Sequence, residues 1–175
     1  GKALLVANTG ARMLTVLDAG TTRVVAHLPL AVRPDQFCFN RDGGQLFITG
    51  EGRDAVVVVY PYYVPEVAET VLAGSTPGAM AVSEDHLFVA NRQAGDVCIL
   101  NIRRRKVVAL GGVGAEPGYI AITPGDEYAL VLNRASGDMA VIRIPGIVPD
   151  RRKTAALFTM IPVGSKPVSA VVVSA

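Results

Sequence analysis

Short apolar runs alternate with glycine, proline and Asx breaks along the whole chain. The first quarter contains four such runs, LLVA, LTVLD, VVAHLPL and QFCFN. Runs of this length with this punctuation predict β-strands. No segment keeps a period of about 3.6 residues over the length of a helix. The pattern therefore predicts an all-β protein.

The order of runs returns about every 42 residues, which predicts a repeat protein. The residues that follow the first run of each repeat are Asn8, Gly50, Asn91 and Asn133. Their spacings are 42, 41 and 42 residues. Four short antiparallel strands in roughly 40–45 residues are typical of a β-propeller blade. The sequence predicts one domain, 1–175, with four blades of four antiparallel strands at approximately 3–43, 44–85, 86–127 and 128–175.

The phase of the repeat predicts which strand is innermost. We name the strand before the tight turns NRDGG, VSEDH and TPGDE strand a, and the following strands b, c and d. The chain then begins at a strand b and ends with VSAVVVSA, a lone strand a. This last strand either completes the first blade or marks the point where a longer propeller is cut.

The first repeat reads LLVAN, LTVLD, TTRVVAHLPL and RPDQFCFNRDG, and the third reads LFVAN, VCILNI and RRRKVVAL. These strings resemble the YVTN-type β-propeller repeat of bacterial lactonase-like and surface-layer-like propellers. The resemblance implies about seven blades and a periplasmic or extracellular setting, although the chain shows no signal segment. Four repeats imply part of a larger propeller, a ring closed by four blades, or one ring shared by two chains. Open blade faces would expose apolar surface and favour self-association.

Composition and charge narrow the chemistry. Half of the residues are hydrophobic, which predicts a packed core, and the net charge of +2 gives little support for a nucleic-acid partner. No apolar run is long enough to predict a membrane span. Cys38 and Cys98 have no metal-binding spacing, so we predict buried free thiols, with a disulfide as the alternative. We predict no metal and no cofactor.

Candidate binding residues cluster in the predicted b–c and d–a connections, which meet at one face of a propeller. NRQAGD and NRASGD, at 91–96 and 133–138, repeat an Asn-Arg-x-x-Gly-Asp motif. Arginines beside a channel suit an anionic ligand through bidentate contacts. Local pairing of the arginines with acids of the same turn is the interpretation that we favour, since Asp54 follows Arg53 directly and an aspartate follows Arg92 and Arg134 four positions later. The predicted ligand-binding residues are Arg33, Arg53, Asn91, Arg92, Asn133 and Arg134.

A catalytic centre is not visible in the sequence, and we predict no catalytic residue. The predicted inner strands FCFN, AMAVS, YIAIT and AVVVS carry no carboxylate or histidine. We therefore predict a non-catalytic propeller of a bacterial cell-envelope or secreted protein that binds a protein or a small anionic ligand. A lactonase-like hydrolase fragment is one alternative. A polyanion or nucleic-acid binder, acting through basic c–d turns at 103–106 and 150–153, is another.

Overall fold

The computed structural model describes residues 2–147 and 157–173, and this part of the chain contains β-strands and two short 3-10 turns but no α-helix. The strands are β1 (Ala3–Asn8), β2 (Met13–Asp18), β3 (Val24–Pro29), β4 (Arg33–Phe39), β5 (Leu46–Glu51), β6 (Ala55–Tyr60), β7 (Glu66–Leu72), β8 (Pro77–Val82), β9 (His86–Asn91), β10 (Asp96–Asn101), β11 (Lys106–Gly112), β12 (Pro117–Ile122), β13 (Tyr128–Asn133), β14 (Asp138–Arg143) and β15 (Leu157–Pro162). The 3-10 turns are Pro124–Asp126 and Ile144–Gly146. The all-β prediction is confirmed.

The strands form four antiparallel sheets in which neighbours in the chain are neighbours in the sheet. The first sheet has three strands, β1–β3, and the others have four, β4–β7, β8–β11 and β12–β15. Each four-stranded sheet starts at the strand that we named a, so the predicted order of strands within a sheet is confirmed. That strand a is the innermost strand stays a prediction. Within the described residues the first sheet has no strand a.

The predicted final strand lies at 168–175. Residues 168–173 belong to no strand, and residues 174–175 lie outside the described residues. A strand a needs a neighbouring strand b for its backbone hydrogen bonds, and β15 already ends the fourth sheet as strand d. An apolar, alternating sequence alone was not sufficient to form a strand here.

Two compact units divide the chain, at 1–72 and 73–175. In the first unit, alternate residues of neighbouring sheets form one core, with Leu14 and Val16 of β2 packed with Leu46 and Ile48 of β5. These four side chains are at most 1% exposed. Because alternate residues of a strand share a face, one face of each sheet supplies this core. The single-domain assignment and its blade limits stay predictions.

The second unit has its own core, built in the same way. Phe88 and Ile99 of the third sheet pack with Val131 and Ile142 of the fourth sheet, and all four are fully buried. Alanines, rather than larger residues, occupy several facing positions, which are Ala90, Ala109, Ala129 and Ala140. The alternation of large and small side chains lets the two faces approach closely.

Apolar side chains also remain in water on the first sheet. Leu4, Val24 and Val25 are 55%, 52% and 53% exposed. Exposed apolar patches are typical of surfaces that contact a partner. The self-association that this exposure favours stays a prediction. Among the described residues, no helix is long and apolar enough to cross a membrane.

Candidate functional site

The two Asn-Arg-x-x-Gly-Asp motifs form the connections between strands b and c of the third and fourth sheets. β9 ends at Asn91 and β10 begins at Asp96, while β13 ends at Asn133 and β14 begins at Asp138. We call these connections, 91–96 and 133–138, the motif loops. Both occur in the second unit, and each residue of the motif can be assigned a role from its contacts.

The motif asparagines hold the loops together. Asn91 and Asn133 are fully buried. The Asn91 side-chain nitrogen donates to the Asp96 carboxylate at 2.7 Å, and the Asn91 side-chain oxygen Oδ1 accepts from the Gly74 backbone N–H at 3.1 Å. The Asn133 amide nitrogen donates to the Asp138 carboxylate at 2.7 Å and to the Val113 carbonyl at 2.8 Å. Both asparagines therefore tie a motif loop to the preceding d–a linker.

The motif glycines are required by backbone geometry. Gly95 and Gly137 have φ of 70° and 72°, in the left-handed region that disfavours other residues. A Cβ on Gly95 would lie 2.9 Å from the Gly114 carbonyl oxygen, and a Cβ on Gly137 would lie 2.9 Å from that of Gly164. The glycines permit both the turn and the close approach of the next linker.

The motif arginines, by contrast, have no side-chain partner within residues 2–147 and 157–173. Arg92 and Arg134 are exposed, and neither forms an ion pair or side-chain hydrogen bond with any part of the chain that is described. The predicted pairing with Asp96 and Asp138 is wrong: among the described residues these carboxylates accept from the buried amides of Asn91 and Asn133 instead. Arginine is thus the motif residue whose presence the loop does not explain.

Each arginine lies above a glycine at the start of strand a. A Cβ on Gly78 would lie 3.2 Å from Arg92 Nε, and a Cβ on Gly118 would lie 2.9 Å from Arg134 Cδ. Both glycines follow a proline, and the pairing register of β8 and β12 shifts directly after that proline. Bulges often redirect side chains near binding sites. Because glycine has no Cβ, the space over Gly78 and Gly118 is available to the side chains of Arg92 and Arg134.

The residues before these prolines have unusual backbone conformations. Thr76 and Glu116 have φ of 58° and 54°, which is uncommon for residues with a side chain. Their carbonyls accept the backbone N–H groups of Arg92 and Arg134, both at 3.0 Å. This hydrogen bond holds the backbone of each arginine against the d–a linker. Strained positions of this kind often occur at functional sites.

A groove of about 880 Å³ runs beside Arg92 in the second unit. Its polar wall includes Arg92, Gln93 and Glu116, and its apolar wall includes Val113, Leu157 and Met160. Small-ligand sites commonly have this size and combine apolar walls with a few polar groups. The sequence did not reveal the groove, because Leu157 and Met160 are far from the motif loop in the chain.

The other two predicted arginines belong to the first unit. Arg53 is exposed in the β5–β6 connection, and its carbonyl accepts the Ala55 backbone N–H at 2.8 Å. Arg33 is exposed at the start of β4, opposite Glu51 in the ladder. Neither one lies on an Asn-Arg-x-x-Gly-Asp loop, since Gly50 replaces the asparagine in this repeat.

The basic c–d turns are partly compensated by acids. Arg103 Nε lies 3.9 Å from a carboxylate oxygen of Asp85, and both side chains are exposed. Exposed pairs of this kind contribute little to stability, but they reduce the local positive charge. The second predicted basic turn, 150–153, lies outside the described residues.

Titratable groups in the described chain give no sign of a reactive centre. Cys38 and Cys98 are free thiols, and burial raises the pKa of Cys38 to about 11 and that of Cys98 to about 12. Thiols with such a pKa contain almost no thiolate at neutral pH and are poor nucleophiles. The searched residues also contain no group of three or more His, Cys, Asp or Glu side chains that could hold a metal.

His86 predicts one pH effect on stability. Burial lowers the pKa of His86, although the nearby Asp85 charge opposes this. Because the folded protein resists protonation of His86, the unfolded chain binds the proton more readily below the ordinary pKa of about 6.5. The contribution of neutral His86 to the free energy of unfolding is therefore fully present above about pH 6.5, and it falls as the pH is lowered toward the pKa of His86 in the folded protein.

We expect the urea midpoint of the wild type to fall from about pH 7 to about pH 5 by more than that of His86→Gln. The measurement is the difference between the two pH profiles, since shared carboxylate effects cancel in it. Equal slopes in the two proteins would contradict the assignment to His86.

No family model matches the sequence, and a search of curated proteins found no match. Solved structures do match. Hydrazine synthase of Kuenenia stuttgartiensis is 18% identical with a TM-score of 0.76, over 94% of this chain and 47% of that one. A periplasmic gluconolactonase of Pseudomonas aeruginosa is 21% identical with a TM-score of 0.74, over 95% and 52%. A candidate 6-phosphogluconolactonase of Bacteroides fragilis is 19% identical with a TM-score of 0.74, over 96% and 53%.

The chain has a β-propeller fold. It spans about half the length of the neighbours named above. At these identities the similarity establishes the fold alone, and it does not extend to membership of the YVTN repeat family, which stays a prediction.

Proposed function

We propose that this propeller chain binds small anionic ligands at Arg92, which lines the groove, and at the equivalent Arg134, as a non-catalytic scaffold of a periplasmic or extracellular bacterial protein. One observation carries the proposal. In both motif loops the asparagine, glycine and aspartate make contacts that the fold requires, whereas the arginine is exposed and has no side-chain partner among the described residues. An unpaired guanidinium repeated at the same place on two successive sheets is typical of a ligand contact rather than of loop architecture.

The chemistry of the groove supports an anion with an apolar portion. A guanidinium binds carboxylate or phosphate through two parallel hydrogen bonds, which gives both affinity and orientation. Leu157 and Met160 also line the groove beside Arg92 and supply apolar contact. Glu116 adds a carboxylate that accepts from ligand hydroxyls and disfavours ligands with several negative charges.

We expect Arg92→Ala and Arg134→Ala each to weaken anion binding by about tenfold, since each removes a charge-assisted contact. Binding of hexanoate, a carboxylate with an apolar chain, and of gluconate, a carboxylate with hydroxyls, is measured by NMR shift titration. Arg92→Lys should give an intermediate loss, because it keeps the charge and not the bidentate geometry.

Arg104→Ala is the matched control, an exposed arginine on a c–d turn that is expected to bind as the wild type does. The proposal fails if neither anion produces saturable shifts in the wild type. It also fails if Arg92→Ala and Arg134→Ala titrate like Arg104→Ala.

Lactone hydrolysis is a second candidate function, favoured by the names of two structural neighbours, a periplasmic gluconolactonase and a candidate 6-phosphogluconolactonase. The inner strands β8 and β12 read PGAMAV and PGYIAI and offer no general acid or base. Turnover of gluconolactone is followed with and without added divalent metal. Turnover that scales with protein concentration and is lost in Arg92→Ala would favour hydrolysis over the scaffold.

A further inference from the structure

The first unit contains a second cavity that the proposed anion site does not use. It has a volume of about 410 Å³, and one wall is the connection PYYVP, 61–65, between β6 and β7. The facing wall comes from the first sheet and includes Val16, Leu17 and Asp18. We call this cavity the tyrosine pocket.

Aromatic and proline side chains dominate the outer wall of the tyrosine pocket. Pro61, Tyr62, Tyr63 and Pro65 all line it. Tyr62 is 46% exposed, and Tyr63 is completely exposed, so the ring of Tyr63 takes no part in the packing of the fold. Rigid amphipathic rings held in water are enriched at recognition surfaces.

The backbone at Tyr63 is unusual as well. Its φ is 60°, in the left-handed region where bulky residues are uncommon. Neither packing nor a hydrogen bond within the described chain accounts for a tyrosine at this position. Unfavourable conformations that persist without a structural benefit are typical of binding segments.

Asp18 supplies a fixed negative charge on the opposite wall. Its Oδ1 accepts from the backbone N–H groups of Gly20 and Thr21 and from the Thr21 hydroxyl, at 2.7–3.1 Å. These bonds to Thr21 and Gly20 lower the pKa of Asp18, so it is ionised at neutral pH. No described cation pairs with Asp18, and its Oδ2 accepts no hydrogen bond from the described residues.

We propose that the tyrosine pocket binds a proline-rich peptide segment that carries a basic residue. Proline rings pack against exposed tyrosine and proline side chains without requiring hydrogen-bond partners, and the polyproline II backbone leaves its carbonyls free. The Lys2 ammonium, which also lines the pocket, and the tyrosine hydroxyls can donate to those carbonyls. Asp18 pairs with the basic side chain of the peptide.

An oligosaccharide fits the tyrosine pocket less well. Sugars stack on tyrosine, but each buried hydroxyl needs a partner, and a hydroxyl without one is costly. Apart from Lys2, Asp18 and the tyrosine hydroxyls, the side chains lining the pocket are apolar. The pocket therefore suits proline rings better than it suits a hydroxyl-rich ligand.

The test uses a fluorescein-labelled polyproline peptide with one central arginine, titrated by fluorescence anisotropy. We expect saturable binding by the wild type and about tenfold weaker binding by Tyr63→Ser. The Tyr63 side chain is completely exposed, so its replacement should not affect folding. Asp18→Asn, which keeps the Oδ1 acceptor, should weaken the arginine peptide severalfold and leave an all-proline peptide unchanged.

Arg104→Ala is the control, because Arg104 is an exposed arginine of the second unit outside both proposed sites, and this variant should bind the peptide normally. Three outcomes would overturn the proposal: no saturable binding below about 1 mM, equal binding by Tyr63→Ser, or binding of a cello- or malto-oligosaccharide in place of the peptide. None of these outcomes affects the anion proposal, which rests on the second unit.

Discussion

Replacing Gly50 by alanine is expected to destabilise the protein by about 3 kcal/mol or more. A Cβ at Gly50 would lie 1.7 Å from the backbone carbonyl oxygen of Arg33 and 2.7 Å from its carbonyl carbon. Because backbone atoms of a paired strand cannot move aside as a side chain can, β4 and β5 would have to separate locally. The measurement is the free energy of unfolding from urea titration, followed by circular dichroism.

Gly112→Ala provides the control for Gly50→Ala. Gly112 is also a strand glycine, but a Cβ there meets nothing within 4 Å. This variant should unfold within about 0.5 kcal/mol of the wild type or be slightly more stable, since alanine restricts the unfolded chain. A Gly50→Ala protein as stable as Gly112→Ala would show that β4 and β5 are not packed as described.

The second large effect is expected for Asn133→Ala, at about 2–3 kcal/mol. The substitution removes the side-chain donor to the Val113 carbonyl, which is buried together with Asn133, and one of the two side-chain donors to the part-buried Asp138 carboxylate, which keeps the Ser136 hydroxyl. Unpaired buried groups cost more than the net value of the bond that they lose. Urea unfolding again measures the change.

Arg134→Ala, one residue away, should unfold within about 0.5 kcal/mol of the wild type, because Arg134 is exposed and no side chain in the described part of the chain pairs with it. The pair of variants thus separates the two halves of the motif: Asn133 affects stability, and Arg134 affects anion binding. Comparable losses of stability in both would remove the reason for assigning Arg134 to a ligand.

The strands were predictable from the sequence because their information is local. LTVLD, at 14–18, differs from β2 by one residue, and its alternation directly gives the side chains that enter the core. The strand at which each four-stranded sheet starts was predictable from the tight turn that follows it. The predicted final strand does not form over 168–173, because strand formation also needs a partner, which local alternation does not report.

The candidate site was only partly predictable. Arg92 and Arg134 stood out as repeated residues, but their freedom from Asp96 and Asp138 depends on buried amides whose orientation is set by distant linkers. One overlooked signal was present, the Pro-Gly pair that opens β8 and β12. In both sheets the glycine of this pair is the residue beneath the arginine.

The backbone hydrogen bond between each motif loop and the d–a linker that follows it has a consequence for how a repeat can be duplicated. The Gly95 carbonyl accepts from Val113 N–H at 3.0 Å, and the Gly137 carbonyl accepts from Val163 N–H at 3.1 Å, so successive repeats make the same contact. Asn133 then holds the first of these linkers from the next sheet. A gene segment encoding one repeat, duplicated in frame, would carry both the motif loop and the linker that it binds. Recombination could thus lengthen the chain without having to evolve a new junction.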